Sequence, residues 1–185
     1  YGVFANGGYL KQPYFIEKII DAKGRKIKQA FSVTNAETPR IIDPRNAFIM
    51  TSLLKEVIET GTATKAKRLK REDIAGKTGT TNELVDAWFA GFNPDVVTIT
   101  WMGFDQPRSL GKHESGSRAA LPIWIDYMKP IINDYPTKIV ETPEGIIPLR
   151  INPKNGMLAN KNEDSIYEYF YDEFPPSDNA YFLLN

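Results

Sequence analysis

The run Gly76-Lys77-Thr78-Gly79-Thr80-Thr81 concentrates the chemically active side chains of this 185-residue sequence. Ile74 and Ala75 lead into it as a short apolar strand. Alternate residues of a strand face the same way, so Thr78 and Thr80 present two hydroxyls on one face while Lys77 points to the other. Gly79 carries no side chain, which lets another backbone come close at that point. Two hydroxyls, an ammonium and an open strand backbone suit a carboxylate-ended peptide docked as an extra strand. The same letters, Gly76-Lys77-Thr78, also end a phosphate-binding loop, but that motif needs a glycine where Arg71 stands and a helix opening at Lys-Thr. Gly79, Thr80, Thr81 and Asn82 make a poor helix start. Taken alone, the tripeptide reads most simply as a polar edge strand.

The elements that must hold this run are legible around it. Asp43-Pro44 is a helix start, with Asp43 as N-cap and Pro44 in the first helical position. Ala47, Met50, Leu54, Val57 and Ile58 then recur at three- and four-residue steps as one apolar stripe, and Gly61 stops it. The basic run Lys65, Lys67, Arg68, Lys70 and Arg71 reads as a solvated turn leading into the central strand. From Ile74 the pattern becomes strand, turn, strand, turn, strand, with Ala87 to Phe92 second and Val96 to Phe104 third. This predicts an antiparallel meander with Lys77-Thr78-Gly79 at one margin. Trp88, Phe92 and Trp101 are expected in the core. Gln106 to Gly116 is a polar loop holding an exposed His113 without a metal or triad partner. Leu121, Trp124, Met128 and Ile132 mark a second amphipathic helix starting near Ser117 to Leu121, with Pro122 in its first turn.

The flanks are plainer. Tyr1 to Gly8 reads as a helix end closed by glycines. Pro13 to Ile20 and Arg25 to Phe31 form a hairpin about Asp21-Ala22-Lys23-Gly24, and Ser32 to Ile42 is loop. Beyond Pro136, Ile146 to Ile151 and Met157 to Ala159 suggest another hairpin across Asn152 to Gly156. Tyr167 to Tyr171 pack back on the domain, and Pro175-Pro176 begins a loose end. Residues 1–136 are thus read as one unit and 137–185 as a C-terminal extension.

The totals narrow the function classes. Lys plus Arg equals Asp plus Glu at 23 each, leaving no bulk charge to recruit nucleic acid or a membrane surface. The chain has no cysteine, which excludes disulfides and thiolate metal sites. No signal peptide, transmembrane run or repeat is visible. Tyr1 opens inside a patterned segment, so the chain reads as a fragment.

Three ordered stretches carry a family likeness: Glu59-Thr60-Gly61-Thr62-Ala63, Ala75 to Asn82, and Asp86-Ala87-Trp88-Phe89-Ala90-Gly91-Phe92. Trp101-Met102-Gly103-Phe104-Asp105 and Gly116 to Ile123 extend it. From Tyr1 to about Met128 the sequence resembles the transpeptidase domain of bifunctional class A penicillin-binding proteins. The resemblance implies an α/β (α+β) serine β-lactamase/penicillin-binding-protein fold, a mainly antiparallel sheet flanked by helices, of which this chain is the C-terminal portion. It implies a peptidoglycan D,D-transpeptidase that cross-links stem peptides and is acylated by β-lactams, without metal or organic cofactor. Lys77 would hold a Ser-x-Asn serine, pointing inward beneath the substrate. Thr78 and Thr80 would bind the substrate carboxylate, Gly79 would keep the strand accessible, and the Thr80 N–H would be an oxyanion donor. Thr81 continues the signature at the substrate strand. The partners implied are stem peptides, β-lactams and the upstream part of the same domain. Nucleic acid is not among them, and the membrane enters only through an N-terminal anchor outside the chain, at the periplasmic face of the inner membrane.

Such enzymes need a serine with a lysine one helical turn later, then Ser-x-Asn, then Lys-Thr-Gly. Ser52-Leu53-Leu54-Lys55 and Ser177-Asp178-Asn179 spell the first two. Ser52 falls inside the helix beginning at Pro44, where its N–H is committed to the preceding turn and cannot serve an oxyanion hole. Ser177 follows the Lys-Thr-Gly run, in a Pro-rich polar tail. The resemblance puts the nucleophile and its partner serine upstream of Tyr1. Two other classes remain open: a serine β-lactamase-like hydrolase, which would need a deacylating base, and a non-catalytic peptide-binding module using the strand edge alone.

Overall fold

The computed structural model describes residues 1–29 and 38–176. Three strands form its centre: β3 (Ala75–Thr80), β4 (Ala87–Phe92) and β5 (Val97–Met102), an antiparallel meander with β3 and β5 at the margins. They follow a short helix α1 (Gly2–Ala5), a hairpin of β1 (Lys18–Ile20) and β2 (Lys26–Gln29), and the long helix α2 (Pro44–Glu59). After the sheet come a π-helical turn (Gly116–Ala120), the helix α3 (Leu121–Ile131) and a hairpin of β6 (Ile146–Ile151) and β7 (Ile166–Tyr171).

The helices begin where their caps dictate. The Asp43 carboxylate accepts from Arg45 N at 2.8 Å, with Pro44 in the first turn, and one face of α2 buries Ala47, Leu54 and Ile58. Met50, expected in that stripe, is exposed. In α3, Leu121, Trp124 and Met128 are fully buried. Pro122 stands in the first turn, where a missing N–H costs no helical bond.

Pleating sorts the sheet into two unlike faces. On one, Phe89 meets Trp124 edge-on at 5.0 Å between ring centroids, and the indole N–H donates to Thr98 O at 3.0 Å. On the other, Ala75 and Phe92 are covered by Leu54, Phe4 and Ala5. Ala90 on that second face is also buried, but Trp88, Val97, Ile99 and Trp101 are uncovered. Trp88 and Trp101, cross-strand partners, are 42% and 45% exposed, where the sequence predicted core; only Phe92, at 2%, is buried as expected. Apolar character alone does not say which part of a face a helix covers.

The basic run is also not wholly solvated. Arg71 forms a bidentate pair with Asp73, with distances of 2.9 and 2.7 Å and side chains 11% and 1% exposed. Its guanidinium also donates to the carbonyls of Ile132 and Tyr135 at 2.8 Å and of Pro136 at 3.1 Å. Arg71 therefore closes the C-terminal end of the α3 segment and ties down the chain leaving it.

The C-terminal hairpin differs from expectation. Asn152 to Gly156 does turn, with Gly156 N donating to Asn152 O at 2.8 Å, but Met157 to Ala159 contributes only an isolated bridge at Leu158. The partner of β6 is β7, from Ile146↔Tyr171 to Ile151↔Ile166. As expected, the aromatic strand packs back: Phe48 of α2 meets Tyr169 edge-on at 4.9 Å. The first hairpin is present but short, since Pro13 to Glu17 precede β1 without strand pairing. Ala30, Phe31 and the expected loop as far as Glu37 lie outside the described residues, as do Ser177, Asp178 and Asn179.

Burial pushes the Asp73 carboxyl up, but the Arg71 hydrogen bonds, the Lys138 N–H and the guanidinium charge outweigh it and hold it below the usual aspartate value. Its stabilisation is complete above the unfolded-state pKa and is lost as pH falls through the lower folded-state value. Arg71→Met should cost about 3–5 kcal/mol in urea unfolding, because it leaves a buried carboxylate unpaired. A loss below about 1 kcal/mol would class the pair with solvated surface pairs.

Candidate active site

The site is built on the free margin of β3. In its pairing with β4, Thr80 lies opposite Ala87, and Thr81 N donates to Asp86 O at 3.1 Å one step beyond. Hydrogen-bonded and non-hydrogen-bonded pairs alternate along an antiparallel ladder. Gly79, Lys77 and Ala75 therefore spend their backbone groups on β4, while those of Thr80, Thr78 and Gly76 point to the open edge. The Lys77 ammonium lies 3.0 Å from Thr78 O, one of these edge carbonyls.

The hydroxyls are held from two directions. Thr78 Oγ1 is 2.7 Å from Thr62 Oγ1, contributed by the segment between α2 and β3. Thr80 Oγ1 accepts from Gly116 N at 3.0 Å, at the start of the π-helical turn. With one acceptor position of Thr80 filled by an amide, its own O–H is left to donate outward. Thr62 and Gly116 thus hold the two candidate hydroxyls, although the sequence marked them only through family likeness. Hydroxyls two apart on a strand give no sign of which distant residue meets them.

Gly116 also explains a close approach. The sequence places one at Gly79 on the strand; the structure supplies it from within the chain. A Cβ on Gly116 would lie 2.5 Å from Gly79 O and would also collide with Trp88 O. The π-helical turn therefore rests directly on the β3–β4 peptides, on the threonine side.

Thr78 is half-buried, and Lys77 and Thr80 are exposed. Lys77, expected to point inward beneath the substrate as a buried or half-buried charge, is exposed among the described residues. Lys77 lies on the sheet face that carries Trp88 and Trp101, where the helical cover ends. Thr81 turns out to be backbone-directed: its hydroxyl accepts from Asp86 N at 2.8 Å, which closes the β3–β4 connection. Asp86 in turn receives the Trp101 indole N–H at 2.8 Å. His113 is exposed, on a left-handed backbone with φ of 69°. Ser52 sits within α2, away from this edge. No cluster of metal-ligating side chains occurs among the described residues.

Chemically, the edge offers peptide hydrogen-bonding groups, an outward amide at Thr80, two oriented hydroxyls and a nearby ammonium. That set can bind an extended peptide with a terminal carboxylate and donate to an oxyanion at Thr80 N.

Comparisons with known proteins show the family of the chain. The family model of the penicillin-binding protein transpeptidase domain matches residues 1–129. Penicillin-binding protein 1A of Neisseria lactamica is 48% identical over 148 residues, covering 80% of this chain and 18% of its own length. That of Pseudomonas aeruginosa is 40% identical, covering 97% of this chain and 28% of its own length. The crystal structure of penicillin-binding protein 1A from Haemophilus influenzae superposes with a TM-score of 0.84 at 34% identity, over 95% of this chain and 31% of that one. The chain thus spans well under a third of the length of the curated relatives described here.

Gly116→Ala should displace the π-helical turn from the sheet, since the atoms its methyl meets are backbone and cannot swing aside. A fall in melting temperature together with faster hydrogen exchange of the residue-116 amide is expected; an unchanged exchange rate would show that the turn stays seated on Thr80 despite the added methyl.

Proposed function

The chain belongs to the penicillin-binding protein transpeptidase family, and on that premise we propose that it supplies the substrate-binding strand of a peptidoglycan D,D-transpeptidase. The observation that carries this reading is the open edge of β3, with the Thr80 amide pointing outward between two held hydroxyls. The stem peptide docks antiparallel to β3. Thr78 and Thr80 donate to its terminal carboxylate, and Gly79 leaves room above the strand. A serine attacks the carbonyl carbon of the D-Ala-D-Ala bond and the Thr80 N–H stabilises the oxyanion. The C–N bond breaks, D-alanine leaves with a proton on its amine, and the acyl group passes to an amine on a neighbouring stem peptide. β-Lactams enter by the same contacts and stay as acyl adducts. Lys77 adds positive charge and orients the Ser-x-Asn serine. Thr81 acts through the β3–β4 turn that it closes.

The nucleophile and the Ser-x-Asn serine are assigned to further sequence of such a protein, which fits the small share of its relatives' length that the chain spans. The bare sheet face with Trp88, Ile99 and Trp101 supports the same view, because a contiguous apolar surface calls for a cover. That cover, the remaining part of the transpeptidase domain, would also enclose Lys77. Residues 1–136 are read as the transpeptidase portion and 137–185 as an extension docked on α2, consistent with a family match ending at residue 129. The same reading assigns the work to the outside of the cytoplasm, at the periplasmic face of the inner membrane. No described helix is long and apolar enough to cross a membrane.

In a form of the protein that includes the serine, Lys77→Ala should slow acylation by a labelled penicillin roughly a hundred- to a thousand-fold. Lys77→Arg should restore little, because a planar fork does not replace a compact ammonium. Wild-type acylation by Lys77→Ala would remove Lys77 from the site, and complete absence of a covalent adduct in the unaltered protein would favour a non-catalytic peptide-binding module.

Thr80→Val removes a carboxylate donor and also strips the Gly116 amide of its acceptor. Acylation should fall about ten- to a hundred-fold, from a loss of roughly 1.5–3 kcal/mol, while Thr80→Ser retains most of the rate. Equal rates for valine and serine would show that the hydroxyl plays no part.

A further inference from the structure

We propose that the cavity between α2, α1 and the C-terminal extension is a binding site for a small aryl carboxylate, separate from the β3 edge. Its volume is about 210 Å³, and none of Lys77 to Thr80 lines it. An apolar cavity of roughly 150 Å³ accepts benzene, so this one holds a single ring with a short polar arm.

The wall decides the chemistry. Phe4, Phe48, Phe92 and Tyr169 supply the aromatic surface, and Ser52 and Lys55 the polar part. Ser52 and Lys55 stand one helical turn apart on α2, so both reach the same space. The other charges there are already satisfied: Asp73 is paired with Arg71, and the Lys138 ammonium with Asp95. The Lys55 ammonium and the Ser52 hydroxyl engage no partner among the described residues. One unpaired cation beside a hydroxyl in an aromatic wall selects a monoanion with one ring: the carboxylate lies on Lys55 and Ser52, the ring against the wall of Phe4, Phe92 and the packed Phe48–Tyr169 pair. The Ser52-Leu53-Leu54-Lys55 spelling thereby has a role in recognition.

The location gives the site a consequence. Tyr169 belongs to the extension and Phe48 to α2, while Phe92 is the cross-strand partner of Ala75 in β3. An occupant therefore bridges the extension, the long helix and the root of the β3 strand, and it should raise the melting temperature by preferential binding to the folded state.

Saturation-transfer NMR on the purified protein tests this with phenylacetate as ligand and benzyl alcohol as its neutral counterpart. Saturable phenylacetate binding with a Kd on the order of 1 mM or tighter is expected. Lys55→Met should weaken phenylacetate about fivefold and leave benzyl alcohol unchanged. Ser52→Phe, which fills the cavity, should abolish both, with melting curves confirming that each variant folds. If Ser52→Phe does not fold, the Lys55→Met comparison decides alone. No saturable signal up to roughly 10 mM, equal weakening of both ligands by Lys55→Met, or phenylacetate binding indifferent to the substitutions would overturn the assignment.

Discussion

The pairing of β3 with β4 is the constraint on which the site depends. Thr81 closing on Asp86 sets the phase of the ladder, and that phase sends the Thr80 and Thr78 backbone groups to the free edge. A slip of one residue would turn the Thr80 amide into the sheet and exchange the faces of the threonines and Lys77. The Thr81 hydroxyl, which accepts from the Asp86 N–H, fixes the connection that prevents such a slip, and the Asp86 carboxylate ties that turn to β5 by accepting from the Trp101 indole N–H. One register fixes both the sheet and the groups offered at its free edge.

The threonine side of that strand is held by segments far away in sequence. Thr62 reaches Thr78 from the segment after α2, and Gly116 reaches Thr80 from the turn before α3. Both segments pack into the core that Trp124, Phe89, Leu121 and Ile58 share. The apolar core and the polar edge are therefore coupled: burying Trp124 brings the Gly116 turn down on the sheet, and the turn orients the hydroxyl. The opposite face has no such support at its Trp88 end, which is where Lys77 stands.

Arg71 performs a comparable service for the rest of the chain. One guanidinium meets a buried carboxylate and three carbonyls, joining the lead-in to β3 with the end of the α3 segment and the start of the linker. The extension then returns to α2 through Tyr169 against Phe48 and through the Arg45–Glu173 pair at 2.7 Å. The cavity lies where these contacts leave α2 and the extension apart.

Local signals in the sequence determined much of this protein. Asp43-Pro44 started α2, the Leu121, Trp124, Met128 and Ile132 spacing produced the buried face of α3, and β-branched runs between turns gave the meander with Lys77-Thr78-Gly79 at its margin. Each rests on capping, periodicity or turn chemistry confined to neighbouring residues. The family likeness rested on side-chain types in order, which are also explicit in the sequence. Tertiary structure alone decided the rest: that Trp88 and Trp101 are exposed, that β7 forms the ladder with β6 while Met157 to Ala159 adds only a bridge at its end, that Arg71 is drawn inward, and that Thr62 and Gly116 hold the candidate hydroxyls. These outcomes depend on which distant surfaces meet. A strand's alternation shows that two faces differ, but only the packed helices determine which of them is covered and how far.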